Sequence, residues 1–308
     1  MHFVKKADIK KYSGRRKSKI VCGIIPILLL FLILNLGPLL ASFIISLTNM
    51  WKGNEFVGLA NYVNFIHDDI ARIALRNTFY YVLGTVPTNI IIAFTLALMI
   101  ENITRGKAFF RSVFFLPVIT SMVGVGIVWS WLYQPMFGLI NQILRLLHLQ
   151  PQMWLKSATL ALPSVMAMAI WKNFGYNMVL FMAALQGISY IYYEAAKIDG
   201  VTFWQNLRYI TIPLLKPAIK LIVITTMIAS FQVFTEIYIM TQDRSASGTG
   251  SSAGGPAHAT IVMVLLIQKL GFAEVNIGYA SALAFILFLI ILGIVLIIFK
   301  LFKSEDDN

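Results

Sequence analysis

The sequence predicts an all-α polytopic membrane protein with six transmembrane helices and both termini in the cytoplasm. Three observations predict it. Of 308 residues, 58% are hydrophobic and only 12% are charged, about half the ~25% charge of an average soluble domain. The mean hydropathy of +0.78 excludes a disordered chain and argues against a soluble globular enzyme. Lysines and arginines collect between alternate apolar runs, which is the bias of cytoplasmic segments in membrane proteins.

Residues 1–19 form a basic cytoplasmic segment carrying Lys5, Lys6, Lys10, Lys11, Arg15, Arg16, Lys17 and Lys19. The spanning domain then covers 20–302. Span 1, about 20–47, lies in the uncharged run Ile20–Trp51, and span 2, about 77–100, in Asn77–Ile100. Span 3, about 112–133, lies in Ser112–Leu144. Span 4, about 158–186, is interrupted only by Lys172, and span 5, about 218–240, only by Glu236. Span 6, about 276–300, lies in Val275–Phe299, and 303–308 is a cytoplasmic tail. Each run supplies the ~20 residues that a bilayer core of roughly 30 Å requires at 1.5 Å per residue. Arg105, Lys107 and Arg111 mark the segment between spans 2 and 3 as cytoplasmic; Lys197, Arg208 and Lys216 mark that between spans 4 and 5. The first apolar run is too long for a cleaved signal peptide, so it is expected to stay as a span.

Smaller features complete the outline. Pro26, Pro38, Pro87, Pro117 and Pro163 fall within spans, where each removes a donor and tends to bend its helix. Ile261–Ile267 is apolar but too short to cross, and reads as an interfacial or re-entrant stretch on the outer side. Ser245–Pro256, SASGTGSSAGGP, reads as a flexible outer linker.

No catalytic or metal-binding residues are expected. The chain has no phosphate-binding loop, no H-E-x-x-H pair and no G-x-S-x-G elbow. Its four histidines are scattered, and the single cysteine, Cys22, excludes an internal disulfide. The net charge of +12 is read as cytoplasmic bias toward the bilayer rather than as a nucleic-acid surface.

The segment 187–217 is the informative one. Ser189 is placed to cap a first short helix and Gly200 to end it. Thr202 and Gln205 have capping-box spacing for a second helix, which Pro213 and Pro217 are expected to end before span 5. The result is a helical hairpin at the inner membrane surface.

Here the chain resembles a known family. Glu194-Ala195-Ala196, Gly200, Ile210 and Ile212-Pro213 match the EAA loop of permease subunits of binding-protein-dependent ABC importers, with Ile212 where Leu is usual. Trp171 to Asn177 (WKNFGYN), Phe231-Gln232-Val233-Phe234, Gly254-Gly255-Pro256 with Ala259-Thr260, and Gly278-Tyr279-Ala280-Ser281-Ala282 look like the carbohydrate branch. The inserted Gln242–Ala253 departs from that pattern.

The resemblance implies a subunit in the cytoplasmic membrane of a bacterium or archaeon that binds no cofactor itself. ATP and Mg would be held by separate cytoplasmic ATPase subunits. A second homologous permease and an extracytoplasmic sugar-binding protein would complete the machine, with a sugar as substrate. Glu194, Ala195, Ala196, Asp199, Gly200, Ile210 and Pro213 would couple the hairpin to the ATPase. There it would move as a rigid lever in an alternating-access cycle. An autonomous secondary transporter or channel is the competing reading.

Two polar strips suggest a solute path. Asn173 and Asn177, with Tyr176, lie on span 4; Gln232 and Glu236 lie four apart on span 5. Residues at i and i+4 share a helix face, and polar groups facing lipid are costly, so both strips should face inward. They read either as interhelical bonding, with Lys172 and Glu236 as a structural ion pair, or as a sugar cavity.

Overall fold

The structure is a computed structural model and describes residues 25–49, 55–242 and 254–303. The expected basic segment 1–19, the greater part of the linker Ser245–Pro256 and residues 304–308 lie outside the described residues.

The chain builds helices joined by short connections. Helix α1 covers Ile25–Ser46. A two-residue antiparallel pair follows, β1 (Thr48–Asn49) against β2 (Glu55–Phe56), which the apolar runs do not foretell. Helix α2 (Ala60–His67) leads into α3 (Asp69–Glu101). The helix holding the second expected span thus begins before Arg72 and Arg76, because Asp68 caps it by accepting from Ile70 N (2.8 Å) and Ala71 N (3.2 Å). Next come α4 (Lys107–Ile119), α5 (Met122–Leu132), α6 (Leu139–Leu146), α7 (Ala161–Gln186) and α8 (Tyr190–Ile198). Helix α9 runs over Phe203–Phe231, α10 over Thr235–Thr241, α11 over Met263–Ala273 and α12 over Ile277–Lys303. Among the described residues, four helices are long and apolar enough to cross a membrane, or up to six if each of two bent pairs is one span.

Three local readings are corrected. The third apolar run is bent, but not at its proline: α4 and α5 meet at 93°, because Thr120 and Ser121 take extended backbone angles. The break falls after Ile119, not at Pro117. Nor does Pro213 end the hairpin's second helix. Residues Leu207–Thr211 widen into a π turn, with Ile212 N–H bonding Leu207 O, and the helix continues through Pro213 and Pro217. A π turn relaxes the clash and missing donor that proline brings to a regular helix. The same arrangement recurs in α1, where Leu32–Leu36 forms a π turn just before Pro38. Finally, Ile261, Val262, Met263 and Leu265 are fully buried; that stretch packs in the core, which corrects the interfacial half of its reading and does not touch the re-entrant half. Asn77 Nδ2 donates to His258 O (3.1 Å) and Ile261 O (3.0 Å), and Met263 N donates to Thr78 Oγ1 (3.0 Å).

The most extensive packing joins α3 to α7, with α4 also against α7, α9 against α3, α10 against α5, and α12 against α1. On α3, Asn77, Tyr81, Thr85, Asn89, Ala93 and Ala97 are all buried at four-residue intervals. Lipid tails are as apolar as leucine, so membrane helices associate through close approach of small residues and interhelical hydrogen bonds. This stripe supplies both: amide and hydroxyl groups along one half, alanines along the other.

Candidate functional site: a polar cavity beside an exposed helical hairpin

A cavity of about 260 Å³ opens between α3, α7, α9 and α10, with Val118 of α4 on one side. Asn173, Tyr176 and Asn177 line it from α7 and Glu236 from α10. Asn177 Nδ2 donates to Asn89 Oδ1 (2.7 Å) and to Thr226 Oγ1 (2.9 Å), stitching α7 to α3 and α9. Asn173 Nδ2 instead donates to Ala169 O of its own helix (2.9 Å). Glu236 lies past the break that ends α9, and no side-chain partner bonds its carboxyl among the described residues.

Gln232 is not part of this wall. Helix α9 stops at Phe231, so Gln232 and Glu236 do not share a helix face, and Gln232 lines a separate apolar pocket of about 430 Å³ against α11 and α12. Tyr81, Thr85 and Asn89 of α3 and Thr225, Thr226 and Ser230 of α9 also line the polar cavity. The four-residue spacing of Tyr81, Thr85 and Asn89 was the available signal, since it puts three polar groups on one helix face.

Lys172 and Glu236 form no ion pair among the described residues. Instead Lys172 Nζ donates to Pro117 O (2.9 Å), Val118 O (3.2 Å) and Thr120 O (2.9 Å). These carbonyls are orphaned at the end of α4 by the 93° break, and a cation suits a helix C-terminus. Three residues along the same face, Gly175 packs so closely that an added Cβ would lie within 3.0 Å of Phe114 O.

The hairpin stands at the far ends of α7 and α9, beyond the cavity. Ser189 occupies the cap position of α8 but makes no side-chain cap bond. Gly200 has φ +70, the left-handed geometry expected of it. Thr202 and Gln205 form a capping box, with Thr202 N donating to Gln205 Oε1 (2.9 Å) and Gln205 N to Thr202 Oγ1 (3.5 Å). Glu194, Ala195, Asp199 and Pro213 are exposed, and Ile210 is half-buried. Ala196 is buried, so it packs inside the chain and does not reach the hairpin surface. Ile191, Ile198 and Trp204 are exposed by 72%, 86% and 74%, an apolar display typical of interaction surfaces. At the base of the hairpin, Glu101 accepts from Lys107 Nζ (2.8 Å) and from Gln186 Nε2 (2.7 Å), joining the ends of α3, α4 and α7.

Residues 105–302 match the family described as the binding-protein-dependent transport system inner membrane component. The lactose transport system permease protein LacF of Rhizobium radiobacter is 34% identical over 271 residues, covering 86% of this chain and 88% of that one. The arabinooligosaccharides transport system permease protein AraP of Bacillus subtilis is 32% identical over 286 residues, covering 91% and 88%. A crystal structure of a bacterial ABC transporter that imports the acidic polysaccharide alginate superposes with a TM-score of 0.81 at 22% identity, covering 96% of this chain and 98% of that one. With well over half of the chain inside the family match and relatives aligned nearly end to end, this protein belongs to the inner membrane components of binding-protein-dependent transport systems, the permease subunits of ABC transporters.

Proposed function

We propose that this permease carries a sugar or oligosaccharide inward, handed over by an extracytoplasmic binding protein and driven by ATP hydrolysed, with Mg, on separate cytoplasmic ATPase subunits. A second homologous permease completes the pathway, in the cytoplasmic membrane of a bacterium or archaeon. The observation that carries this reading is a hairpin with an exposed apolar face, continuous through α9 with the wall of a cavity rich in amides and hydroxyls. The similarity to LacF, a lactose transport system permease, and to AraP, an arabinooligosaccharides transport system permease, supports the sugar. A related crystal structure, in complex with an alginate pentasaccharide-bound periplasmic protein, supports the binding-protein partner.

In this reading Glu194 and the exposed Ile198 and Trp204 meet the ATPase, and the Gly200 turn holds the two arms in register. Glu194→Lys and Gly200→Val should each leave the protein in the membrane while the ATPase no longer co-purifies and ATP-driven uptake falls by more than about tenfold, as a β-branched residue strains a positive-φ site. Native co-purification and native uptake in both variants would remove the hairpin from coupling.

The proposed orientation makes a second prediction. Reporter fusions after Lys107 and after Lys216 should read cytoplasmic, and fusions near Asp68 and Gln150 external. An external signal from the hairpin would overturn both orientation and mechanism.

A further inference from the structure

We propose that the cavity selects uncharged or cationic sugars and rejects anionic ones such as uronates. The proposal rests on the cavity being part of the sugar path and specifies which sugars that path takes.

The first observation is the composition of the wall. Tyr81, Thr85, Asn89, Asn177, Ser230 and Glu236 are among its polar groups, and among the described residues no lysine, arginine or histidine lines it. Hydroxyls and carboxamides pair with sugar hydroxyls as both donors and acceptors. A carboxylate or phosphate brought out of water needs cationic or convergent charge-assisted donors, and without them its desolvation is uncompensated. Glu236, the only carboxyl among the described residues of the wall, would repel such a group if ionised and offers it a single proton if not.

The second observation concerns the cation beside Glu236. Lys172 is only 5% exposed, and an ammonium has three donors. All three are taken, by Pro117 O, Val118 O and Thr120 O at 2.9, 3.2 and 2.9 Å. Lys172 thus holds the broken third span and has no donor left for a ligand. The Lys172 ammonium is committed to structure, while no side chain among the described residues hydrogen-bonds the Glu236 carboxyl, which leaves it able to receive the ammonium of an amino sugar.

The test uses the assembled transporter in detergent without its external binding protein, so that protein's own selectivity does not enter. The probes are methyl glucoside, glucosamine and glucuronate, followed by saturation-transfer NMR and direct titration. Glucuronate should bind at least about tenfold more weakly than the other two, since like-charge juxtaposition carries a large penalty. Ser230→Lys, which adds an ammonium to the wall, should close most of that gap; Thr225→Lys serves if the first variant does not assemble. Glucuronate bound as tightly as methyl glucoside by the unmodified complex would overturn the selectivity while leaving a sugar site in place. So would a gap that a well-assembled lysine variant leaves untouched. Failure of all three probes to bind, or binding that Asn177→Ala and Glu236→Gln both leave unchanged, would remove the cavity from the sugar path and the selectivity with it.

Discussion

Gly175→Val is expected to leave almost no correctly folded protein in the membrane. At Gly175 the backbone of α7 lies against the Phe114 carbonyl of α4, and an added Cβ would fall within the 3.0 Å that real Cβ atoms keep clear. The obstacle is backbone, so no side-chain rotation relieves it and the two helices must separate. Overpacking of a closed contact typically costs about 1–3 kcal/mol. Here separation also draws Lys172, one turn away on the same face, off its three carbonyls, so the upper end or beyond is expected. Gly124→Ala is the matched control, because an added Cβ there meets nothing within 4 Å. Gel-filtration yield and thermal unfolding in detergent should separate the two variants sharply. Equal behaviour would mean that the α4–α7 contact is not as close as described.

Lys172→Met should be nearly as damaging, by a different route. It keeps the length of the side chain but leaves Pro117 O, Val118 O and Thr120 O without their donor. Hydrogen bonds to a charged group are worth about 1.5–3 kcal/mol each, not additively, and no water in the bilayer core replaces them. A loss of about 3 kcal/mol is expected, read as a lower thermal unfolding midpoint in detergent. Lys172→Arg retains charge and donors and should recover part of the stability. A methionine variant as stable as the unmodified protein would show that the break in span 3 holds without its cation.

How far the sequence reveals this architecture depends on whether the deciding forces are local. Gly200, Thr202 and Gln205 act within a few residues of themselves, so the turn and the capping box are readable from spacing. The 93° break is not, because Thr120 and Ser121 look unremarkable in an uncharged run; what holds the break is Lys172, more than fifty residues away. Proline rules misplace the end of the hairpin because a π turn absorbs Pro213. They misplace the bend in span 3 as well, where Pro117 stays inside α4. The polar strip on α7 is read from its spacing, whereas the Tyr81, Thr85, Asn89 stripe on α3, with the same spacing, is missed. The pairing of Gln232 with Glu236 fails because periodicity assumes a helix that stops between them.

The π turn at Leu207–Thr211 has a consequence for phase. Since Phe203–Phe231 is one uninterrupted helix, every residue of the hairpin's second arm has a fixed angular position relative to Thr226 and Ser230 at the cavity. A single residue inserted near Pro217 would rotate that arm by about 100°, one residue's share of a 3.6-residue turn. The other arm carries no such constraint: α8 meets α7 at 70° across Gly187 and Ile188, where an extra residue would be taken up by the connection. One arm of the hairpin therefore tolerates changes in length and the other does not, and the intolerant arm is the one whose azimuth is locked to the cavity wall.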